Sequence, residues 1–233
     1  MNEPWVCIGH SHTAALGRAA KMGGWALDTI NFWETGEPWL RGDGETRLRP
    51  DLADRIGLGR RVLSLIGGSA HTVLGMVEHP RPFDFVLPSE PDLPLDETRE
   101  AVPAEAVRAK LVEMTMEYLD TVPVVARTAL GPVVHIEPPP PVADAARIAP
   151  HVPWGLFPGQ PRVIAPKWLR YKLWRMHSEV IAAACARFGV GYMRAPDRAK
   201  DDDGFLEPRY DEDGAHANAA YGALVLEELR RAG

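Results

Sequence analysis

The chain has 233 residues and a formal net charge of −6, and 45% of its residues are hydrophobic and 25% charged. These values suit one large α/β domain with a full core. The negative charge argues against nucleic acid as a primary partner, because phosphate binding needs a concentrated basic face. No run approaches 18 apolar residues and residues 1–5 lack a signal-peptide pattern, so we expect a cytoplasmic protein without a membrane partner.

Short apolar runs alternate with helical patterns from the beginning of the chain, which is typical of a parallel sheet covered by helices. The patterns predict strands at 5–8, 26–32 and 61–66, and helices at 13–21 and 50–56. Residues 34–46 are polar and rich in glycine, which favours a loop between the second strand and the second helix.

The second part of the chain begins with residues 79–102, which are rich in Pro, Asp and Glu. We interpret this stretch as a long surface excursion that could cover a site. A helix is predicted from 103 to about 120, followed by a short apolar run at 122–126. Further strands are predicted at 132–136 and 190–193, and helices at 166–188 and 218–231. These elements predict a single domain over 1–233, a three-layer α/β/α sandwich around a parallel sheet of about five strands.

Three smaller features have a structural interpretation. Residues 138–141 are all proline and follow a predicted strand, which favours a rigid loop over a ligand for a polyproline-binding domain. The basic segment 167–172 is interpreted as the solvated face of an amphipathic helix. Cys7 and Cys185 lie in apolar segments, which favours two reduced core residues over a disulfide.

Polar segments stand at two predicted strand ends and before the last helix. They read GHSH at 9–12, GGSAH at 67–71 and DGAHAN at 213–218. Because reactive groups collect at the carboxyl ends of strands in open parallel sheets, we expect these segments to share one site.

The residue types in these segments indicate nucleophilic catalysis. A serine hydroxyl such as that of Ser11 becomes a good nucleophile when an imidazole takes its proton. Asp213 stands three residues before His216, close enough to orient its ring and to stabilise its charged form. A serine at a strand-to-helix turn also directs its own N–H toward a developing oxyanion. We therefore predict Ser11 as nucleophile, His216 as general base and Asp213 as its orienting carboxylate.

In these blocks the chain resembles the SGNH hydrolases, also called GDSL esterases and lipases. Their first block, Gly-Asp-Ser, stands here as GHS at 9–11, and their last block, Asp-x-x-His, matches 213–216. Their third block, Gly-x-Asn-Asp, reads GGSA at 67–70, without the Asn and the Asp. The resemblance implies the flavodoxin-like SGNH fold and a serine esterase that removes a short acyl group, such as acetyl, from a carbohydrate or small metabolite. It implies no metal and no organic cofactor.

The resemblance also implies an oxyanion hole made of the Ser11 N–H, a glycine N–H and the third-block Asn. Gly36 and Gly44 are both candidates for the glycine, and Ser69 or His71 for the missing Asn. Loss of one oxyanion donor costs on the order of 10²–10³ in rate, so the substitution bears on activity rather than on fold.

His10 replaces the usual first-block Asp and joins the candidates for oxyanion or substrate binding. Other interpretations remain open from the sequence. Ser11 could be a helix N-cap, and His10, His12 and His71 could hold a metal ion, although no carboxylate or Cys completes a known ligand spacing. Residues 67–68 lack the Lys of a phosphate loop. An acyltransferase with the same three residues and a catalytically impaired ligand-binding protein are the alternative functions, and the sequence does not set the oligomeric state.

Overall fold

The computed structural model describes residues 5–36, 39–43, 45–67 and 69–232. Its strands are β1 (Trp5–Gly9), β2 (Leu27–Asn31), β3 (Leu40–Asp43), β4 (Glu45–Leu48), β5 (Arg61–Leu65), β6 (Phe83–Asp84), β7 (Glu100–Ala101), β8 (Val133–Ile136) and β9 (Gly191–Met193). Its helices are α1 (Thr13–Gly23), α2 (Phe32–Thr35), α3 (Pro50–Ile56), α4 (Ala70–Gly75), α5 (Ala104–Thr128), α6 (Ala145–Ile148), α7 (Lys167–Arg187) and α8 (Ala219–Ala232).

The central sheet contains five parallel strands in the order β2-β1-β5-β8-β9. Alternate residues of a strand point to opposite faces, so β1 supplies the core on both sides. Val6 and Ile8 pack with α3 and α5, whereas Cys7 packs with α1 and α8. The predicted three-layer α/β/α sandwich is therefore confirmed, and Cys7 is a free, buried thiol, as is Cys185.

Helix α5 is longer than predicted. It continues past Asp120 to Thr128 and includes the apolar run at 122–126, together with an internal Pro123. Proline removes one hydrogen bond of a helix, which is why the sequence favours a break there. The buried valines of this run, Val122, Val124 and Val125, pack into the core clusters beside the sheet, and that burial offsets the loss.

The segment predicted as a loop at 34–46 contains regular structure. Strands β3 and β4 form an antiparallel pair in which Leu40 lies opposite Leu48. Trp39 and Leu48 are buried against the α3 side of the sheet. The sequence pattern did not predict this hairpin, because the segment is polar and only a few of its side chains enter the core. Gly44, one of the two oxyanion glycine candidates, lies outside the described residues, as does Gly68.

The interpretation of 167–172 as a solvated face is wrong, because both Arg170 and Lys172 are buried. Lys172 is 1% exposed, and its ammonium pairs with the carboxylate of Asp84, which is also buried. The same ammonium donates to the carbonyl of Pro94 at 3.1 Å. A lysine can be buried in this way when its charge is paired and hydrogen-bonded.

The ion pair between Asp84 and Lys172 connects the surface excursion at 79–102 to helix α7. Asp84 also accepts hydrogen bonds from the N–H groups of Phe85 at 2.8 Å and Asp96 at 3.0 Å, so one carboxylate joins two parts of the excursion. Phe85 and Leu87 are buried in a cluster with residues of α5 and α7. The excursion is therefore part of a packed layer over these two helices.

Replacing Lys172 by Met is expected to lower the free energy of unfolding by about 3–5 kcal/mol, because it leaves the Asp84 carboxylate buried without its partner. Chemical denaturation followed by circular dichroism measures the loss. Lys110→Met is the matched control, since Lys110 pairs with Glu113 on an exposed face of α5. The double variant Lys172→Met with Asp84→Asn should recover part of the loss. Equal stabilities of the Lys172→Met and Lys110→Met variants would contradict the prediction.

Close packing of α1 against α8 brings the beginning of the chain to its end. Gly222 lies at this crossing, where an added Cβ would stand 2.4 Å from the carbonyl oxygen of Ala15. Asn218 caps α8, since its Oδ1 accepts from the N–H groups of Ala220 at 2.9 Å and Tyr221 at 3.3 Å. The segments that precede these two helices carry Ser11 and His216. No helix in the described part of the chain is long and apolar enough to cross a membrane.

Candidate active site

Ser11 lies in the turn between the carboxyl end of β1 and the first turn of α1. The N–H of Thr13 donates to the carbonyl of His10 at 2.9 Å, and that of Ala14 donates to the carbonyl of Ser11 at 3.1 Å. These bonds start the helix while the Ser11 side chain points elsewhere. The N-cap position belongs to His12, which makes no side-chain capping bond, so the structure does not favour Ser11 as a helix cap.

Ser11, His216 and Asp213 form a continuous hydrogen-bonded row. The Oγ of Ser11 lies 2.9 Å from Nε2 of His216, and Nδ1 of that ring lies 2.8 Å from Oδ2 of Asp213. A carboxylate can only accept a hydrogen bond, which places the ring proton on Nδ1 and a lone pair on Nε2, facing the serine hydroxyl. The fold therefore brings together the three side chains that the sequence pattern singled out, although Ser11 and His216 are 205 residues apart in the chain.

The turn before α8 fixes Asp213. Its Oδ1 accepts from the N–H groups of Ala215 at 3.0 Å and His216 at 2.8 Å. Gly214 has φ = +79°, a left-handed conformation that a residue with a Cβ adopts only with strain. Burial alone would raise the pKa of Asp213, but the bonds from the His216 ring and from these two N–H groups hold that pKa below its ordinary value.

His12 lies beside the His216 ring, with 5.4 Å between the ring centroids. Burial, and next the neighbouring His216, lower the pKa of His12 to about 3. His12 is therefore neutral at pH 7. It does not oppose the positive charge that His216 would acquire after taking a proton.

A small cavity opens beside His216. Its volume is about 40 Å³, which exceeds the minimum of about 10–15 Å³ that a cavity needs to hold a water molecule. Most of its wall is apolar, and its polar side chains include His71, Thr72 and Arg170. The proline run at 138–141 contributes three residues to this wall, as a loop, and the excursion at 79–102 contributes none. The hypothesis that the excursion covers the site is therefore wrong for this cavity, because the excursion packs on α5 and α7.

Ser69 and Gly36 are two other described candidates for the oxyanion hole. Ser69 is exposed at the first position before α4, and its side chain makes no capping bond there. Gly36 follows α2 with φ = +72°, and its carbonyl accepts from Arg49 at 3.0 Å. Among the described residues, no hydrogen bond joins Ser69 or Gly36 to Ser11. Their role in oxyanion binding stays a prediction.

His10 does not line the cavity beside His216, and its predicted part in oxyanion or substrate binding stays a prediction. Its ring is buried, both ring nitrogens lack a hydrogen-bond partner, and burial lowers its pKa to about 4. Four aromatic rings surround it at centroid distances of 4.8–5.5 Å: Phe32, Trp33, Trp39 and Tyr118. The ring of His10 thus packs within an aromatic cage.

Two buried histidines continue inward from the cavity, and the sequence reasoning missed their connection. Nδ1 of His71 lies 2.8 Å from Nδ1 of His177 on α7, and Nε2 of His177 lies 3.1 Å from Oγ1 of Thr115 on α5. His177 shares a helical face with Leu173 and Val180, and that periodicity was the available signal. In the described ranges, no group of three or more His, Cys, Asp or Glu side chains is arranged so that it could hold a metal ion.

Neither a protein-family model nor a curated protein matches the sequence. Solved structures match the fold. A candidate platelet activating factor from Streptococcus pneumonia has a TM-score of 0.53 at 14% identity, over 99% of this chain and 84% of its own. A GDSL-like lipase from Bacteroides thetaiotaomicron has a TM-score of 0.48 at 13% identity, over 100% of this chain and 90% of its own. A candidate SGNH hydrolase from Slackia heliotrinireducens also has 0.48, at 16% identity, over 98% of both chains.

These similarities concern architecture, since the identities are low. The chain shares its architecture, a five-stranded parallel sheet between helical layers, with the Streptococcus structure, and this is the architecture that the sequence patterns predicted.

Proposed function

We propose that this protein is a serine esterase that removes a short acyl group from a carbohydrate or another small metabolite. One observation carries the proposal: the Oγ of Ser11, the ring of His216 and the carboxylate of Asp213 lie in hydrogen-bonding contact, with distances of 2.9 and 2.8 Å. The small cavity beside His216 supports a short acyl group or a small alcohol. We further propose that the main binding partner of the protein is its small-molecule or carbohydrate ester substrate. We also propose that the protein acts in the cytoplasm.

In the proposed reaction the Oγ of Ser11 attacks the ester carbonyl carbon while Nε2 of His216 takes the hydroxyl proton. Asp213 stabilises the resulting imidazolium through the bond to Nδ1–H. His216 then gives its proton to the leaving alcohol oxygen, which leaves an acyl group on Ser11. A water molecule, deprotonated by His216, attacks this acyl-enzyme, and the proton returns to the Ser11 oxygen as the acid departs. The N–H of Ser11, near the positive end of the α1 dipole, is proposed as one oxyanion donor.

A fluorophosphonate probe tests the proposal, because it reacts with a serine hydroxyl that an adjacent base has activated. We expect the purified protein to be labelled on the peptide that contains Ser11, as read by mass spectrometry, and to hydrolyse p-nitrophenyl acetate. Absence of both labelling and turnover would favour the non-catalytic ligand-binding function, which the loss of the third-block Asn suggests.

A further inference from the structure

The contacts behind His71 determine which of its nitrogens carries a proton. The hydroxyl of Thr115 donates to the carbonyl of Leu111, one helical turn earlier in α5. Its single proton is used in that bond, so its oxygen accepts from Nε2 of His177. A neutral His177 then has its proton on Nε2 and a lone pair on Nδ1. The short contact between the two Nδ1 atoms therefore needs the proton to come from His71.

The remaining nitrogen of His71 is its Nε2. With the proton on Nδ1, this atom has a lone pair and can only accept a hydrogen bond. His71 is 8% exposed and lines the cavity together with His216, whereas its Nδ1 is directed at His177. Among the residues that the structure describes, no hydrogen bond reaches this nitrogen, so the fold places one acceptor without a described partner beside a mostly apolar wall and next to the proposed base. In this state His71 cannot donate to an oxyanion, which argues against its predicted role in the third block.

Both rings are neutral at pH 7, as this assignment requires. Burial lowers the pKa of His177 to about 4. Burial, and next the unfavourable electrostatic effect of the nearby His177 and His12 rings on a protonated His71, hold the pKa of His71 well below its ordinary value.

We propose that Nε2 of His71 binds a hydrogen-bond donor of the substrate, an O–H or N–H group next to the ester. The inference rests on the proposed function and narrows it to esters with such a donor. An unpaired acceptor in an apolar wall disfavours a substrate that leaves it unsatisfied, because the desolvation of the nitrogen is then not compensated.

Four acetate esters distinguish the sources of the donor. They are 2-hydroxyethyl acetate with its methyl ether, and 2-acetamidoethyl acetate with its N-methyl analogue. The wild-type protein is expected to prefer the member with the donor in at least one pair by about 10-fold to 100-fold in kcat/KM, relative to alkaline hydrolysis of the same esters. A preference in the first pair identifies a hydroxyl donor and one in the second identifies an amide. Equal rates within both pairs would overturn the proposal.

Thr115 provides a test at a distance from the substrate. In Thr115→Val the Nε2 of His177 loses its acceptor, so its proton is expected to move to Nδ1 and Nε2 of His71 to become an N–H donor. The preference for donor-bearing esters should then be lost, whereas Thr115→Ser, which keeps the hydroxyl, should retain it. A preference unchanged by Thr115→Val would show that His71 does not bind the hydrogen-bond donor of the substrate.

Nitrogen NMR of protein labelled at histidine reports the two tautomers without any turnover. The wild type should show protons on Nδ1 of His71 and Nε2 of His177, and Thr115→Val should show the reverse. If the protein hydrolyses no ester at all, the proposed function fails. The role of His71 can then still be tested by measuring whether the esters bind. In that case 2-hydroxyethyl acetate or 2-acetamidoethyl acetate should shift the Nε2 resonance of His71, whereas the methylated partners should not. No shift with either donor would overturn it.

Discussion

Ser11→Ala is expected to abolish fluorophosphonate labelling and to lower kcat for p-nitrophenyl acetate by about 10⁴-fold to 10⁶-fold. The substitution removes the oxygen that lies 2.9 Å from Nε2 of His216 and leaves the backbone of the turn intact. Residual hydrolysis should match what binding and oxyanion stabilisation provide without a nucleophile. Steady-state kinetics and gel-based labelling measure both quantities.

Ser89→Ala is the matched control for this experiment. Ser89 lies on the excursion and donates to Glu179 of α7, away from the row of Ser11, His216 and Asp213. Its loss should change neither labelling nor kcat. Wild-type turnover in Ser11→Ala would assign the reaction to another nucleophile, and turnover lost equally in both variants would indicate a general defect in folding.

Asp213→Asn is expected to lower kcat by about 10⁴-fold while the fold stays intact, a loss of the size that a wrong histidine tautomer produces. The amide oxygen of Asn can still accept the N–H bonds of Ala215 and His216, so the turn keeps its caps. Its NH₂ group cannot accept from Nδ1 of His216. The ring proton then moves to Nε2, which no longer has a lone pair for Ser11.

Asp213→Ala separates the two roles of this carboxylate. It removes the caps of the turn as well as the partner of the ring, so the thermal midpoint should fall in addition to kcat. Circular dichroism melting curves for both variants, with kcat for both, make the comparison. A kcat for Asp213→Asn within tenfold of the wild type would show that Asp213 does not orient His216 during turnover.

Much of the fold could be predicted because its strands are short apolar runs with clear ends. Strands β1, β5 and β8 and helix α3 fall within one residue of their predicted bounds. The errors have a common cause in tertiary contacts. Burial of valines carries α5 across Pro123, and the charge of Asp84 permits a lysine in the core. Local patterns do not contain information on such distant partners.

The site was predictable to the extent that its chemistry lies in local blocks. Ser11 and His216 each stand in a short segment whose residue types indicate the roles that we propose for them. The surroundings of His10 and His71 could not be predicted in this way. The cage around His10 includes Tyr118, more than a hundred residues later, and the partner of His71 is His177 on another helix.

The buried histidines should make this fold sensitive to acid. Besides His12 in the candidate site, burial lowers the pKa of four other rings, those of His10, His71, His135 and His177. The unfolded chain binds protons at these rings below its ordinary histidine pKa of about 6.5, whereas the folded chain does not until the pH is much lower. Their contribution to stability is therefore complete above that pH and is lost as the pH falls.

Near pH 5 each such ring lowers the free energy of unfolding by about 1.4 kcal/mol for each unit by which the pH falls. The four rings together lower it by about 5 kcal/mol for each unit. A domain of ordinary stability, about 5–15 kcal/mol, should then unfold between about pH 6 and pH 4. A circular dichroism titration measures the midpoint, and an intact fold at pH 3 would contradict this expectation. The interior that sets the tautomer of His71 thus also limits the acidity at which an active site can persist.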